Sequence, residues 1–139
     1  SASHGKTRTE RSSLMFDTHG RIYVYLVYGM YYCLNFTVND NDVGAVLIRA
    51  VEPLNKITEL KEIRKTEKVN NLCSGPGKLC QAFGINKSHN GLEIGSLVKV
   101  FDDGYLIKNF GQSSRIGIKN ALNLQWRFFI MGNQHVSQK

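Results

Sequence analysis

No apolar run in this chain reaches the roughly 18 residues that a bilayer demands of a spanning helix, because the longest is broken by tyrosines and by Asn35. No charged-then-apolar leader opens the chain, and no linker, repeat or low-complexity stretch divides it. It therefore reads as a single soluble domain over residues 1–139 that is not secreted. Cysteine is scarce and odd in number. Cys33, Cys73 and Cys80, without a CxxC, argue against a disulfide framework and a structural zinc site and fit reduced thiols in a cytosolic compartment. A nucleotide-binding P-loop is also lacking, since Gly77-Lys78 is not followed by Ser or Thr and the spacing differs. Acidic residues are outnumbered, 11 Asp plus Glu against 18 Lys plus Arg. The net charge of +7 favours polyanionic partners, nucleic acid first and anionic membrane second.

Tyrosine is concentrated rather than scarce. Five of the six lie between Tyr23 and Tyr32, within the stretch from Arg21 to Val38. Alternation places Ile22, Val24 and Leu26 on one face of a strand and Tyr23 and Tyr25 on the other. After Gly29, Leu34, Phe36 and Val38 alternate with Cys33, Asn35 and Thr37. The simplest reading is a β-hairpin with an aliphatic face on a core, Tyr25 and Asn35 on the other face, and a bend that presents Tyr28, Met30 and Tyr31 outward. Tyrosine-rich strands also serve packing alone, so the hairpin by itself leaves core and recognition both open.

Around it, residues 1–14 are polar and basic and predict an irregular arm, in which His4, Lys6, Arg8 and Arg11 lie close together. Asn39 to Gly44 signals a turn before a third strand, Ala45 to Val51, whose Arg49 either snorkels at a strand edge or aims its charge at an anion. Pro53 ends that strand. Asn55 to Glu67 predicts a helix with Ile57, Leu60 and Ile63 inward. Pro76 opens a short helix capped by Ser74 or Gly75 and closed by Gly84; its free N–H groups, with Lys78, suit one phosphate. Leu97–Phe101, Tyr105–Ile107, Arg115–Ile118 and Trp126–Met131 read as further strands, with a polar tail after Gly132. The fold class is α+β, with a mixed, mainly antiparallel curved sheet, a protruding hairpin and a few helices.

Set in order, several blocks are similar to the alkyladenine (3-methyladenine) DNA glycosylase family. They are Ala2-Ser3-His4, Met15-Phe16, Gly20 with Tyr23-Val24-Tyr25, Tyr28-Gly29-Met30-Tyr31, Cys33-Leu34-Asn35, Leu47-Ile48-Arg49-Ala50 with Glu52-Pro53, Gly75 to Ala82, and Arg115-Ile116-Gly117. The resemblance implies the architecture of a formyltransferase C-terminal domain and an enzyme that flips alkylated or deaminated purines out of double-stranded DNA and hydrolyses the N-glycosidic bond. The substrates implied are 3-methyladenine and 7-methylguanine, with hypoxanthine and ethenoadenine as further lesions. By the same resemblance Tyr28 is the minor-groove wedge, flanked by Met30 and Tyr31. Tyr25, His4 and Asn35 line the base pocket, Tyr25 by cation–π attraction and Asn35 by rejecting the exocyclic amine of guanine.

The resemblance further implies that Arg49, His4 and the backbone carbonyl of Ile116 serve catalysis, Arg49 and Ile116 by placing the attacking water, and that Arg8 and Lys78 meet phosphates. No metal, flavin, nicotinamide or other cofactor is implied, and the absence of a lysine nucleophile from the matched site implies a monofunctional enzyme. A monomer without membrane contact is expected, in the cytoplasm or nucleoid of a bacterium or the nucleus of a eukaryote. The family's general base is a glutamate in a Glu-Ala-Tyr segment upstream of the histidine matched by His4. Here the chain opens at Ser1, and Glu10, Glu52 and Glu93 do not match that base. The expectation is an N-terminally truncated domain of doubtful activity alone, with a lesion-binding protein without catalysis as the alternative and an RNA-binding basic domain as a third reading.

Overall fold

The computed structural model describes residues 7–10, 12–39, 43–117 and 123–137. It begins with α1 (Ser13–Asp17), followed by the hairpin β1 (Ile22–Val27) and β2 (Tyr31–Thr37), then β3 (Ala45–Leu47). Helices α2 (Ile57–Arg64) and α3 (Pro76–Ala82) come next, and the ribbon β4 (Phe110–Ser113) and β5 (Arg127–Ile130) is last. The first sheet has the order β1-β2-β3, β4 and β5 pair separately, and every described pairing is antiparallel. The class is α+β, and none of the described helices is long and apolar enough to cross a membrane.

Ile22, Val24 and Leu34 meet Leu60 of α2, Leu79, Cys80 and Ala82 of α3, and Leu72, Cys73 and Ile85 from the connections. Burial of this aliphatic set removes apolar surface from water at about 25 cal/mol per Å², which sets the hairpin on the helices. The outer edge of β1 is closed by the segment after α3. Ile22 N–H donates to Leu92 O at 2.8 Å, Val24 N–H to Asn90 Oδ1 at 2.9 Å, and the Arg21 guanidinium reaches Gly91 O and Glu93 Oε1 at 3.0 and 2.8 Å. A strand edge that would otherwise template a second chain is thus satisfied within this one.

The hairpin departs from the one-faced pattern expected of it. Tyr23, Cys33, Asn35 and Thr37 are buried on the supposed outer face, whereas Leu26 and Val38 on the aliphatic face are exposed. Position along the hairpin outweighs alternation, because the rungs away from the bend are covered from both sides, whereas Leu26 lies toward the bend and Val38 past the end of β2. Thr18 at the end of α1 contributes to the second covering layer, donating to Thr37 Oγ1 at 3.0 Å.

Other expectations need correction as well. The arm contains α1 rather than only irregular chain, β3 stops at Leu47 instead of Val51, and α2 is shorter than Asn55–Glu67, leaving Ile63 exposed. The helix at Pro76 is capped at Gly75 without a side-chain bond, and Gly84 follows its end with φ 65°. Stretches 97–101 and 105–107 form no strand, nor does Arg115 to Gly117, where Ile116 and Gly117 make a turn, and Ile118 lies outside the described residues. Asp102 Oδ1 accepts from Gly104 N–H at 2.8 Å and Asp103 Oδ1 from Tyr105 N–H at 3.0 Å, so side chains satisfy this backbone where a strand ladder would have done so. β5 is one residue shorter at each end than Trp126–Met131, and the turn at Met131-Gly132 follows it.

In the second sheet Gly111 faces Phe129, and the Arg127 guanidinium carbon lies 4.4 Å from the centre of the same ring. A Cβ at Gly111 would sit 2.5 and 2.7 Å from ring carbons of Phe129. Gly111→Ala is expected to destabilise the fold by about 1–3 kcal/mol, the usual cost of overpacking, with partial rescue by Phe129→Leu; equilibrium denaturation of the three chains measures both. Burial, reinforced by the neighbouring Cys33 thiol and only partly opposed by a backbone hydrogen bond at Leu34, pushes the Cys80 thiol from 9.0 up to about 11. With the folded value above the unfolded one, the stability this thiol contributes is full below pH 9 and lost as pH rises toward 11. Cys80→Ala is expected to flatten the stability-versus-pH curve in that window, as read by denaturation at pH 8, 9.5 and 11.

Candidate nucleic-acid interface and base pocket

The pairing of β1 with β2 carries Val27 opposite Tyr31 and leaves Tyr28, Gly29 and Met30 as the bend. Tyr28 and Gly29 adopt φ of 54° and 70°, and Met30 N–H donates to Val27 O at 3.2 Å. Two successive left-handed residues match the right-handed twist of a hairpin. Glycine adopts this conformation freely; a bulky tyrosine does so at a cost of about 1–2 kcal/mol. The same tyrosine is 80% exposed, with Met30 at 65% and Tyr31 at 50%. An apolar tip that is both exposed and conformationally costly has no folding purpose of its own, which makes it a candidate contact surface.

Below the tip, register assembles one face. Tyr23 pairs with Asn35, Tyr25 with Cys33 and Asn35 with Leu47. Continued one rung beyond β3, the same count sets Arg49 opposite Cys33, on the face that holds Tyr25 and Asn35. The rings of Tyr23 and Tyr25 lie 5.3 Å apart at 41°. Asn35 is buried and its Nδ2 donates to Tyr23 O and Cys33 O at 3.1 and 3.3 Å, which uses its amide hydrogens and leaves Oδ1 as its remaining polar atom. The Nε of Arg49 is buried without a hydrogen-bond partner among the described residues. Burial first, then the positive charge of Arg127, lowers its pKa; Cys33 and Tyr25 act in the opposite direction.

Arg127 is a residue that strand patterning alone did not single out for the site. It is only 8% exposed, donates to Ser113 Oγ at 3.0 Å and Ser137 O at 2.8 Å, and lines a cavity of about 550 Å³ with Ile116, Ser113, Asn133 and Met131. The one available signal was an arginine set between Trp126 and Phe128 in an apolar strand. Ile116 and Arg49 are thus linked through Arg127, which touches the cavity of the first and acts electrostatically on the second.

The remaining candidates are placed less centrally. Arg8 pairs with Asp17 at 2.5 Å on the surface, and Lys78 Nζ donates to Asn71 Oδ1 at the start of α3. His4 lies outside the described residues. Among the carboxylates weighed from the sequence, Glu93 binds Arg21, while Glu52 accepts from Asn133 Nδ2 at 2.9 Å with His135 Nε2 at 3.9 Å.

The sequence model of the methylpurine-DNA glycosylase (MPG) family matches residues 1–134. A relative from Chlorobium phaeobacteroides is 41% identical over 147 residues, covering 99% of this chain and 72% of its own. One from Clostridium perfringens is 38% identical over 155 residues, covering 100% and 76%, and one from Francisella tularensis is 39% identical over 138 residues, covering 95% and 72%. All three are provisionally named 3-methyladenine DNA glycosylases. A match that runs through nearly the whole length and through every element that builds the hairpin face establishes that the chain belongs to the methylpurine-DNA glycosylase family.

Proposed function

We propose that this chain is a DNA glycosylase that turns an alkylated purine out of duplex DNA and hydrolyses its N-glycosidic bond. The observation that carries the reading is the exposed tyrosine held in a left-handed backbone at the hairpin tip, directly above the face of Tyr25, Asn35 and Arg49. A base leaves the stack only if something fills the gap, and an aromatic ring on a rigid two-stranded support does so with little loss of conformational freedom. Tyr28 is the wedge, with Met30 and Tyr31 against the minor groove. The π-face of Tyr25 receives a cationic purine, Asn35 rejects the exocyclic amine of guanine, and His4 completes the pocket.

Loss of the base generates a cationic sugar that water must capture. Arg49 and the Ile116 carbonyl place that water, while Arg8, Lys78 and the net charge of +7 serve the phosphates. A cationic leaving group such as 3-methyladenine departs with little assistance; neutral hypoxanthine and ethenoadenine need more.

Tyr28→Ser is expected to weaken binding to a duplex with one ethenoadenine by roughly 1–3 kcal/mol, the range for an aromatic contact to a base, with unfolding little changed. Salt-dependent titration beside thermal melting measures this; a variant that melts early yet keeps its affinity would mark Tyr28 as packing. In single-turnover assays the 139-residue chain should release 7-methylguanine faster than hypoxanthine by about 10² to 10⁴, the usual worth of general-base assistance. Equal rates would mean that a carboxylate does act on the water. Binding without any release would leave a lesion-holding protein, and equal affinity for undamaged duplex would remove the reading.

A further inference from the structure

The sequence Gly75-Pro76-Gly77 at the head of α3 contains two glycines with different surroundings. A Cβ at Gly75 would meet the Lys78 side chain at 3.6 and 3.8 Å, ordinary contact. A Cβ at Gly77 would meet Cβ, Cδ1 and Cγ of Tyr31 at 3.1, 3.1 and 3.2 Å, tighter than side chains normally pack. Gly77 lies inside α3, where glycine is a poorer helix former than alanine, so helix formation gives no reason for it. Close approach of α3 to the tyrosine does. Tyr31 forms the last rung of the hairpin, opposite Val27, and Tyr28 follows Val27 at once. Leu79 and Cys80, further along the same short helix, are anchored in the core. The ring at the base of the tip therefore rests on an element that cannot retreat without disturbing that core.

We propose that Gly77 is a positioning residue for nucleic-acid contact: the missing side chain lets α3 seat Tyr31 and so fixes the direction in which Tyr28 projects. The proposal rests on the glycosylase reading and adds to it a residue that touches no substrate. A methyl at Gly77 displaces the Tyr31 ring by a few tenths of an ångström and tilts the rung that carries the wedge, while the exposed ring has room to yield and the fold survives.

The test uses the 139-residue chain and a duplex with one ethenoadenine, whose fluorescence rises when the base leaves the stack. Gly77→Ala should melt at or above the temperature of the parent yet bind the duplex roughly tenfold more weakly, with a smaller fluorescence rise. In a Tyr31→Ala background the same substitution should cause no additional loss, because the ring it displaces is gone. This double variant also covers the case in which Gly77→Ala alone folds poorly. If Gly77→Ala binds and unstacks the base like the parent, or if its loss is undiminished without the Tyr31 ring, the proposal is overturned while the glycosylase reading stands. If the parent chain itself fails to unstack the base, both fall together.

Discussion

The antiparallel register of β1 on β2 is the constraint on which the site depends. Strand side chains alternate with a period of two, so a slip of one residue between these strands would set Tyr25 on the face of Leu34 and part it from Asn35 and the position of Arg49. Two features prevent the slip. Ile22, Val24 and Leu34 are committed to the core against α2 and α3, and the left-handed pair Tyr28-Gly29 permits a tight return only at that point. The tip thus carries its strain because the rungs beneath it are fixed independently, by core burial on one side and by the bonds of Asn35 and Thr37 on the other.

The parts of this arrangement that were legible in the sequence are those governed by local rules. Alternation around Gly29 predicted the hairpin and its outward residues, and Gly-Pro-Gly followed by an apolar stretch predicted a capped helix start. Placement of Arg49 beside Tyr25 was legible only through family resemblance, since it requires the register of β3 and one rung more. What failed did so for lack of partners. Leu97–Phe101 and Tyr105–Ile107 carry strand-like residues, yet a strand exists only where another ladders onto it, and Asp102 and Asp103 supply the backbone with a local alternative. Ile63 kept helical spacing with Leu60 but lies on the exposed side of α2, because a helix of eight residues against a small core buries a narrow stripe.

Arg127 illustrates a different limit. Nothing in strand patterning separates an arginine that snorkels to solvent from one that is buried, because its hydrogen bonds go to groups distant in sequence, Ser113 across the ribbon and Ser137 beyond it, while the Phe129 ring two residues along the same strand lies against its guanidinium. Gly111 belongs to the same cluster. Its lack of a side chain allows the Phe129 ring to lie over the strand, and that ring in turn presents the face on which the guanidinium rests. One glycine therefore helps to place a charge that acts on Arg49.

The positive charge of Arg127 opposes that of Arg49, and the burial of Arg49 acts in the same direction. Cys33 and Tyr25 act in the opposite direction but are the smaller influences. The arrangement makes sense if the positive potential itself is useful. Surface lysines and arginines attract a polyanion over distance, but salt screens that attraction beyond about 8 Å at physiological ionic strength. A partly buried charge such as that of Arg49 is screened less. The chain accordingly holds positive charge at two depths: a surface excess whose field salt screens, and the partly buried Arg49 with Arg127, whose field is screened less.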